Sequence, residues 1–127
     1  MRGLHLTADL RGCEPARPLM TAPATLRSTC LGAVAAAGLS AVGELFHRFT
    51  PGAPQGAGAP AGITGVVLLA ESHLAVHTWP KIEAATIDVY VCNLGADNSA
   101  RAEALMESLV AAFAPARVER HARRRGE

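Results

Sequence analysis

Residues 70–92 read AESHLAVHTWPKIEAATIDVYVC. Residues 73–79 and 85–92 are short, alternating and rich in β-branched side chains, as half-buried strands are. Pro80-Lys81-Ile82-Glu83 lies between them as a turn. An antiparallel hairpin centred on that turn puts position 92 opposite position 72 or 73. Directly opposed side chains sit about 5 Å apart, so register alone brings Cys92 beside Ser72. The same strand sets His73 and His77 roughly 13 Å apart at about 3.3 Å per residue, too far to share an ion. Only on a helix would that four-residue spacing suggest a zinc pair. The stretch predicts a serine meeting a cysteine, and no metal.

Taken one at a time these residues say little. A lone Ser72 is usually a surface hydroxyl, a lone Cys92 a small buried hydrophobe, and Trp79 is read as packing. Together they form a pattern: a Glu71-Ser72 bond, His77 five residues after the serine, Thr78-Trp79-Pro80, and Cys92 twenty after the serine. This pattern resembles the self-cleavage site of the prokaryotic S-adenosylmethionine decarboxylase proenzyme family, whose members make a pyruvoyl cofactor from an internal serine. A decarboxylase needs an electron sink for the carbanion left when carbon dioxide departs. A pyruvoyl carbonyl becomes one by forming a Schiff base with the substrate amine. Making it requires a serine hydroxyl to attack the preceding carbonyl, and such a hydroxyl is weak until a neighbour activates it.

The resemblance assigns roles. Ser72 is the pyruvoyl precursor, His77 the proton acceptor in processing, and Cys92 the proton donor to the substrate carbon. Thr64, eight residues before Ser72, matches a family hydroxyl that assists processing. Cleavage between Glu71 and Ser72 would give a β chain, 1–71, and an α chain, 72–127. A homodimer with active sites at or near its interface is implied, as is a cytoplasmic pyruvoyl enzyme supplying spermidine biosynthesis, with neither a metal, a nucleic acid nor a membrane as partner. Phe49 is a candidate substrate contact or an ordinary strand aromatic. One position departs from the pattern: Lys81 stands where the family has a glutamate thought to bind the ribose of S-adenosylmethionine. A carboxylate accepts hydroxyl hydrogen bonds and an ammonium only donates; Glu83 stands two residues on as a substitute. S-adenosylmethionine is the default substrate, L-ornithine or L-arginine the alternative, and an unprocessed regulatory paralogue a third reading.

Composition agrees. At 127 residues the chain is one small domain that gains from a partner. A net charge of +1 gives no bulk case for nucleic acid. Cys13, Cys30 and Cys92 form no disulfide framework, which points to a reducing compartment. Residues 1–13 lack an apolar stretch typical of a signal peptide, and no apolar run is long enough to span a bilayer.

Along the chain, a first strand is expected over Gly3–Leu10, resembling the family's opening segment, then a helix over Thr21–Ala37 with Cys30 in the core, stopped near Gly38. Leu39–Phe49 and Ile63–Ala70 read as strands around a Pro/Gly/Ala-rich loop at 51–62 that cannot bury enough surface to order itself. Ser99–Phe113 reads as a helix capped by Ser99, with Ala102, Leu105, Met106, Leu109 and Phe113 on one face. Ala116–His121 is a last strand, and 121–127 a solvated, disordered basic tail with weak anion binding. The order, β-α-β-β-β-α-β, predicts an α+β two-layer sandwich: an antiparallel sheet covered by two helices.

Overall fold

The computed structural model describes residues 1–49 and 61–126. In chain order they form β1 (Gly3–Arg11), α1 (Pro18–Thr21), α2 (Pro23–Ala36), β2 (Ala41–Arg48), β3 (Ile63–Leu69), β4 (Ser72–Trp79), β5 (Ala84–Cys92), α3 (Ser99–Phe113) and β6 (Arg117–Arg125). A 3₁₀ turn, Pro80–Ile82, joins β4 to β5. The strands make one antiparallel sheet in the order β2-β3-β4-β5-β1-β6.

Alternation decides which face is covered. Leu4, Leu6, Ala8 and Leu10 of β1, Leu74 and Val76 of β4, and Ile87 and Val89 of β5 are buried. They share the core with Leu26, Cys30 and Val34 of α2 and Leu105, Leu109 and Phe113 of α3. Each fully buried Leu, Ile or Phe contributes about 1.5–3 kcal/mol through area removed from water. The alternate residues, among them His5, Thr7, Val66, Ala75, His77 and Tyr90, are only partly buried. Among the described residues no helix lies over them. On or beside this open face, Leu45 and Leu68 stay 68% and 51% exposed.

The α+β sandwich is as expected, with differences in detail. Four strands separate α2 from the last helix, one more than the expected order counted, and they are the four stretches read above at 39–49, 63–70, 73–79 and 85–92. The helix expected over 21–37 is α2, and a separate short helix, α1, precedes it. Pro23 pushes Ala22 into an extended conformation (φ −109°, ψ 108°) and itself starts α2 at the position where a missing N–H costs nothing. Gly38, at φ +81°, stops the chain after α2 as read. Ser99 is the first helical residue and not the cap; the Asp97 carboxylate takes the Ser99 N–H at 2.9 Å. That bond is the main cause holding the Asp97 carboxyl below its usual range.

The basic tail also needs correcting. Residues 121–125 continue β6, with Arg123, Arg124 and Arg125 paired to His5, Leu4 and Gly3. The unpaired backbone edge of β1 recruits them, and their charges suit an outer strand that must not pair with another molecule. Every residue of β6 is exposed, so the tail is solvated but ordered. The expected loop at 51–62 falls, apart from Ala61 and Gly62, outside the described residues.

Candidate active site

The Ala70-Glu71 reversal places Ser72 as the first residue of β4, half-buried at one end of the sheet. β5 returns alongside, with His73 opposite Tyr90 and Trp79 opposite Ala84. Continuing that register puts Cys92 level with Glu71, one residue from the expected position; a hairpin centred on 80–83 has this same register. The meeting still occurs. The Cys92 N–H donates to Ser72 Oγ at 3.0 Å, and Cys92 is 9% exposed.

Two residues that the sequence reading missed hold Cys92 from behind. Asn98 Nδ2 donates to the Cys92 carbonyl at 2.8 Å, and the Asn98 N–H donates to Asn93 Oδ1 at 2.8 Å. Asn93 Nδ2 in turn reaches Ser99 Oγ at 3.1 Å. The available signal was a polar run between a candidate cysteine and a helix start.

Thr64 and His77 form a second pair, facing each other across β3 and β4 with Thr64 Oγ1 3.2 Å from His77 Nδ1. Trp79 stacks on the His77 ring, centroids 5.6 Å apart and planes 17° apart. His77 does not approach Ser72 of its own chain. Five residues of strand separate them, about 16 Å at about 3.3 Å per residue. Thr78, between His77 and Trp79, is structural: fully buried, it donates to the Met20 carbonyl at 2.8 Å and accepts the Ile63 N–H at 3.0 Å.

The remaining candidates sit beyond His77, at the far end from Ser72. Phe49 continues from β2, its N–H on the Gly62 carbonyl at 3.0 Å and its ring across Gly62, where any Cβ would collide with it. Lys81 lies exposed in the 3₁₀ turn, without an ion-pair partner among the described residues. Glu83 is held at φ +54° with its carbonyl accepting the Cys13 N–H. A cleft of about 230 Å³ opens here, lined by Trp79, Ile82, Ala84, Thr86, Asp9 and Arg11 among others.

Around Ser72, Tyr90 lies against His73 with ring centroids 5.7 Å apart, and against His5 at 6.4 Å. His5 Nε2 lies 3.4 Å from Asp88 Oδ2, yet it is buried without a hydrogen-bond partner among the described residues. The arrangement can hold an oxygen-bearing group at position 72 against a thiol and a backbone donor. The His77 imidazole lies at a distance.

Comparison with known proteins places this geometry among relatives. A family model described as S-adenosylmethionine decarboxylase matches residues 4–126. The S-adenosylmethionine decarboxylase proenzyme of Aquifex aeolicus is 34% identical over 98% of this chain and 81% of its own length. That of Persephonella marina is 38% identical, covering 98% and 82%. The archaeal proenzyme of Pyrococcus furiosus is 31% identical, covering 88% and 73%. The crystal structure of adenosylmethionine decarboxylase from Aquifex aeolicus superposes with a TM-score of 0.82 at 32% identity, covering 98% of this chain and 91% of that one.

Proposed function

The chain belongs to the S-adenosylmethionine decarboxylase family, an enzyme of that type, and from that premise we propose that it cuts itself between Glu71 and Ser72 and then decarboxylates S-adenosylmethionine. The observation that carries this reading is the contact of Ser72 Oγ with the Cys92 peptide at 3.0 Å, within the motif that spans both residues. In the first step Ser72 Oγ adds to the Glu71 carbonyl carbon, the Glu71–Ser72 amide bond breaks, and the hydroxyl proton passes to the freed nitrogen. A base then takes the Ser72 Cα proton, and Oγ leaves as part of the Glu71 α-carboxylate. Water replaces the nitrogen of the resulting dehydroalanine as ammonia, leaving pyruvoyl at position 72.

Ser72 is half-buried, and the Cys92 N–H holds the Oγ that attacks in the first step and leaves in the second. A pyruvoyl carbonyl there supplies the electron sink for decarboxylation. Cys92 Sγ is the proton donor to the substrate carbon. Asn98 keeps the Cys92 peptide in place.

His77 serves as base for the partner's processing site, not its own. About 16 Å of strand supports this over action within one chain. The open face, with Leu45 and Leu68 exposed and His5 Nε2 unsatisfied, suits burial against a second copy. A two-fold axis across that face brings one protomer's Thr64–His77 pair toward the other's Ser72. The working form is therefore a homodimer of processed protomers. Its free thiols suit a reducing cytoplasm, and its product suits spermidine biosynthesis.

Mass spectrometry of the purified protein tests the reading. Two fragments are expected, the second starting at position 72 with a pyruvoyl-blocked end, and none from Ser72→Ala. Full-length chain alone after prolonged incubation would overturn it in favour of an unprocessed regulatory paralogue. Mixing His77→Ala with Ser72→Ala chains should restore cutting of the His77→Ala chain; no restoration would return His77 to its own protomer. A second reading, decarboxylation of L-ornithine or L-arginine, is favoured by the exposed, unpaired Lys81.

A further inference from the structure

Three residues other than glycine hold a positive φ among the described residues: Glu71 at 60°, Glu83 at 54° and Ala114 at 46°. Two of these close turns of helical type. The Glu83 N–H bonds to the Pro80 carbonyl at 3.1 Å, and the Ala114 N–H to the Val110 carbonyl at 3.1 Å. Glu71 ends no helix. It is the second residue of the two-residue loop joining the paired Leu69 and Ser72.

Two-residue hairpin loops that match the twist of their strands carry positive φ on the first residue or on both. Here only the second has it, and that residue is neither glycine nor asparagine. The carbonyl of this left-handed glutamate belongs to the bond that the proposed processing breaks. Strain held by surrounding structure recurs where it serves a reaction, and here paired strands on both sides fix the loop.

We propose that the left-handed backbone of Glu71 is a processing device, a strain released by the acyl shift that helps drive it. The inference rests on the self-cleavage reading. In the shift, Oγ bonds to the Glu71 carbonyl carbon, the bond to the Ser72 nitrogen breaks, and the proton moves from Oγ to that nitrogen. The rigid amide link is thereby replaced by the longer and more freely turning Cβ–Oγ link. Glu71 can then leave the left-handed region without disturbing the Leu69–Ser72 pair. Glu71 is thus a positioning residue through its backbone, independent of its carboxylate.

The test separates backbone from side chain. Glu71→Ala keeps the strain and loses the carboxylate, and sets the maturation rate against which the other variants are read. Glu71→Gly removes the strain and should mature about tenfold more slowly, equivalent to about 1.4 kcal/mol. Glu71→Asn, which tolerates this conformation at less cost in chain entropy, should fall between them. In the uncleavable Ser72→Ala background, Glu71→Asn should raise Tm by a few degrees over Glu71→Ala. Equal maturation rates for Gly and Ala variants, or no Tm gain, would overturn the proposal. Failure of the wild type to cleave would instead defeat the processing reading, and the Tm comparison would still report whether the turn is strained.

Discussion

The Cys92 N–H donates to Ser72 Oγ across 3.0 Å, so one peptide ties the proposed acid to the proposed cofactor position. The tie runs through the backbone and leaves the thiol free. Cys92→Ala should therefore retain the contact and still cut at Glu71–Ser72. Decarboxylation by the matured variant should fall by about 10²–10⁴-fold, the usual worth of a positioned acid. Normal turnover by fully cut Cys92→Ala would remove Cys92 from the role.

Asn98→Ala should separate position from chemistry. It deletes the donor to the Cys92 carbonyl but leaves the thiol in place. Loss of a hydrogen bond of this kind costs about 0.5–1.5 kcal/mol, so kcat should drop by up to roughly tenfold. KM should change little, and Asn98→Gln should recover part of the loss. A KM effect without a kcat effect would place Asn98 in substrate binding.

Thr78→Val keeps the shape of a fully buried side chain and strands two partners, the Met20 carbonyl and the Ile63 N–H. Each unpaired buried group costs about 1–3 kcal/mol. A drop in Tm of several degrees is expected, with cleavage still at Ser72 in the protein that folds. An unchanged Tm would show that other groups take over both bonds.

Burial pushes the Cys30 thiol up to about 12 from its ordinary 9.0, and burial also raises Cys13. The folded state keeps a proton there that the unfolded chain loses. The stabilisation is complete below about pH 9 and is lost as pH rises toward about 12, at about 1.4 kcal/mol per pH unit for each such proton. Alkaline denaturation curves should show this fall, and Cys30→Ala should flatten it. An equal slope in that variant would assign the effect elsewhere.

Lys81→Glu tests the substrate. If S-adenosylmethionine is used and position 81 meets its ribose, restoring an acceptor should raise kcat/KM by roughly tenfold, since about 1.4 kcal/mol is one decade. If ornithine or arginine is the substrate, wild type should prefer it and show little activity on the nucleoside. A wild type efficient on S-adenosylmethionine and not improved by Lys81→Glu would show that the side chain does not face the ribose.

The hairpin was legible because alternation over 73–79 and 85–92 reports directly on burial. Its turn over 80–83 was legible too, and centring the hairpin there sets position 92 opposite 71, one residue from the pairing first expected. The distance of His77 from Ser72 follows from the strand itself: nearness along an extended strand is not nearness in space. The arginines of 123–125 read as a solvated run because a charged outer strand and a free tail have the same composition. Nothing in the letter for Glu71 announces a left-handed backbone, and Asn98 acts through a carbonyl that every residue carries.

The sheet order has a consequence for a chain cut as proposed. Division between Glu71 and Ser72 leaves β1, β2 and β3 on one fragment and β4, β5 and β6 on the other. Read across the sheet, the fragments are woven: two strands of the first, two of the second, one of the first, one of the second. Three separate seams, β3 with β4, β5 with β1, and β1 with β6, must open together before the pieces can part. A broken backbone therefore gives up no fragment. The mature enzyme should migrate as one body under native conditions and as two only once unfolded, and after dilution its halves should be as hard to separate as the uncut chain is to unfold.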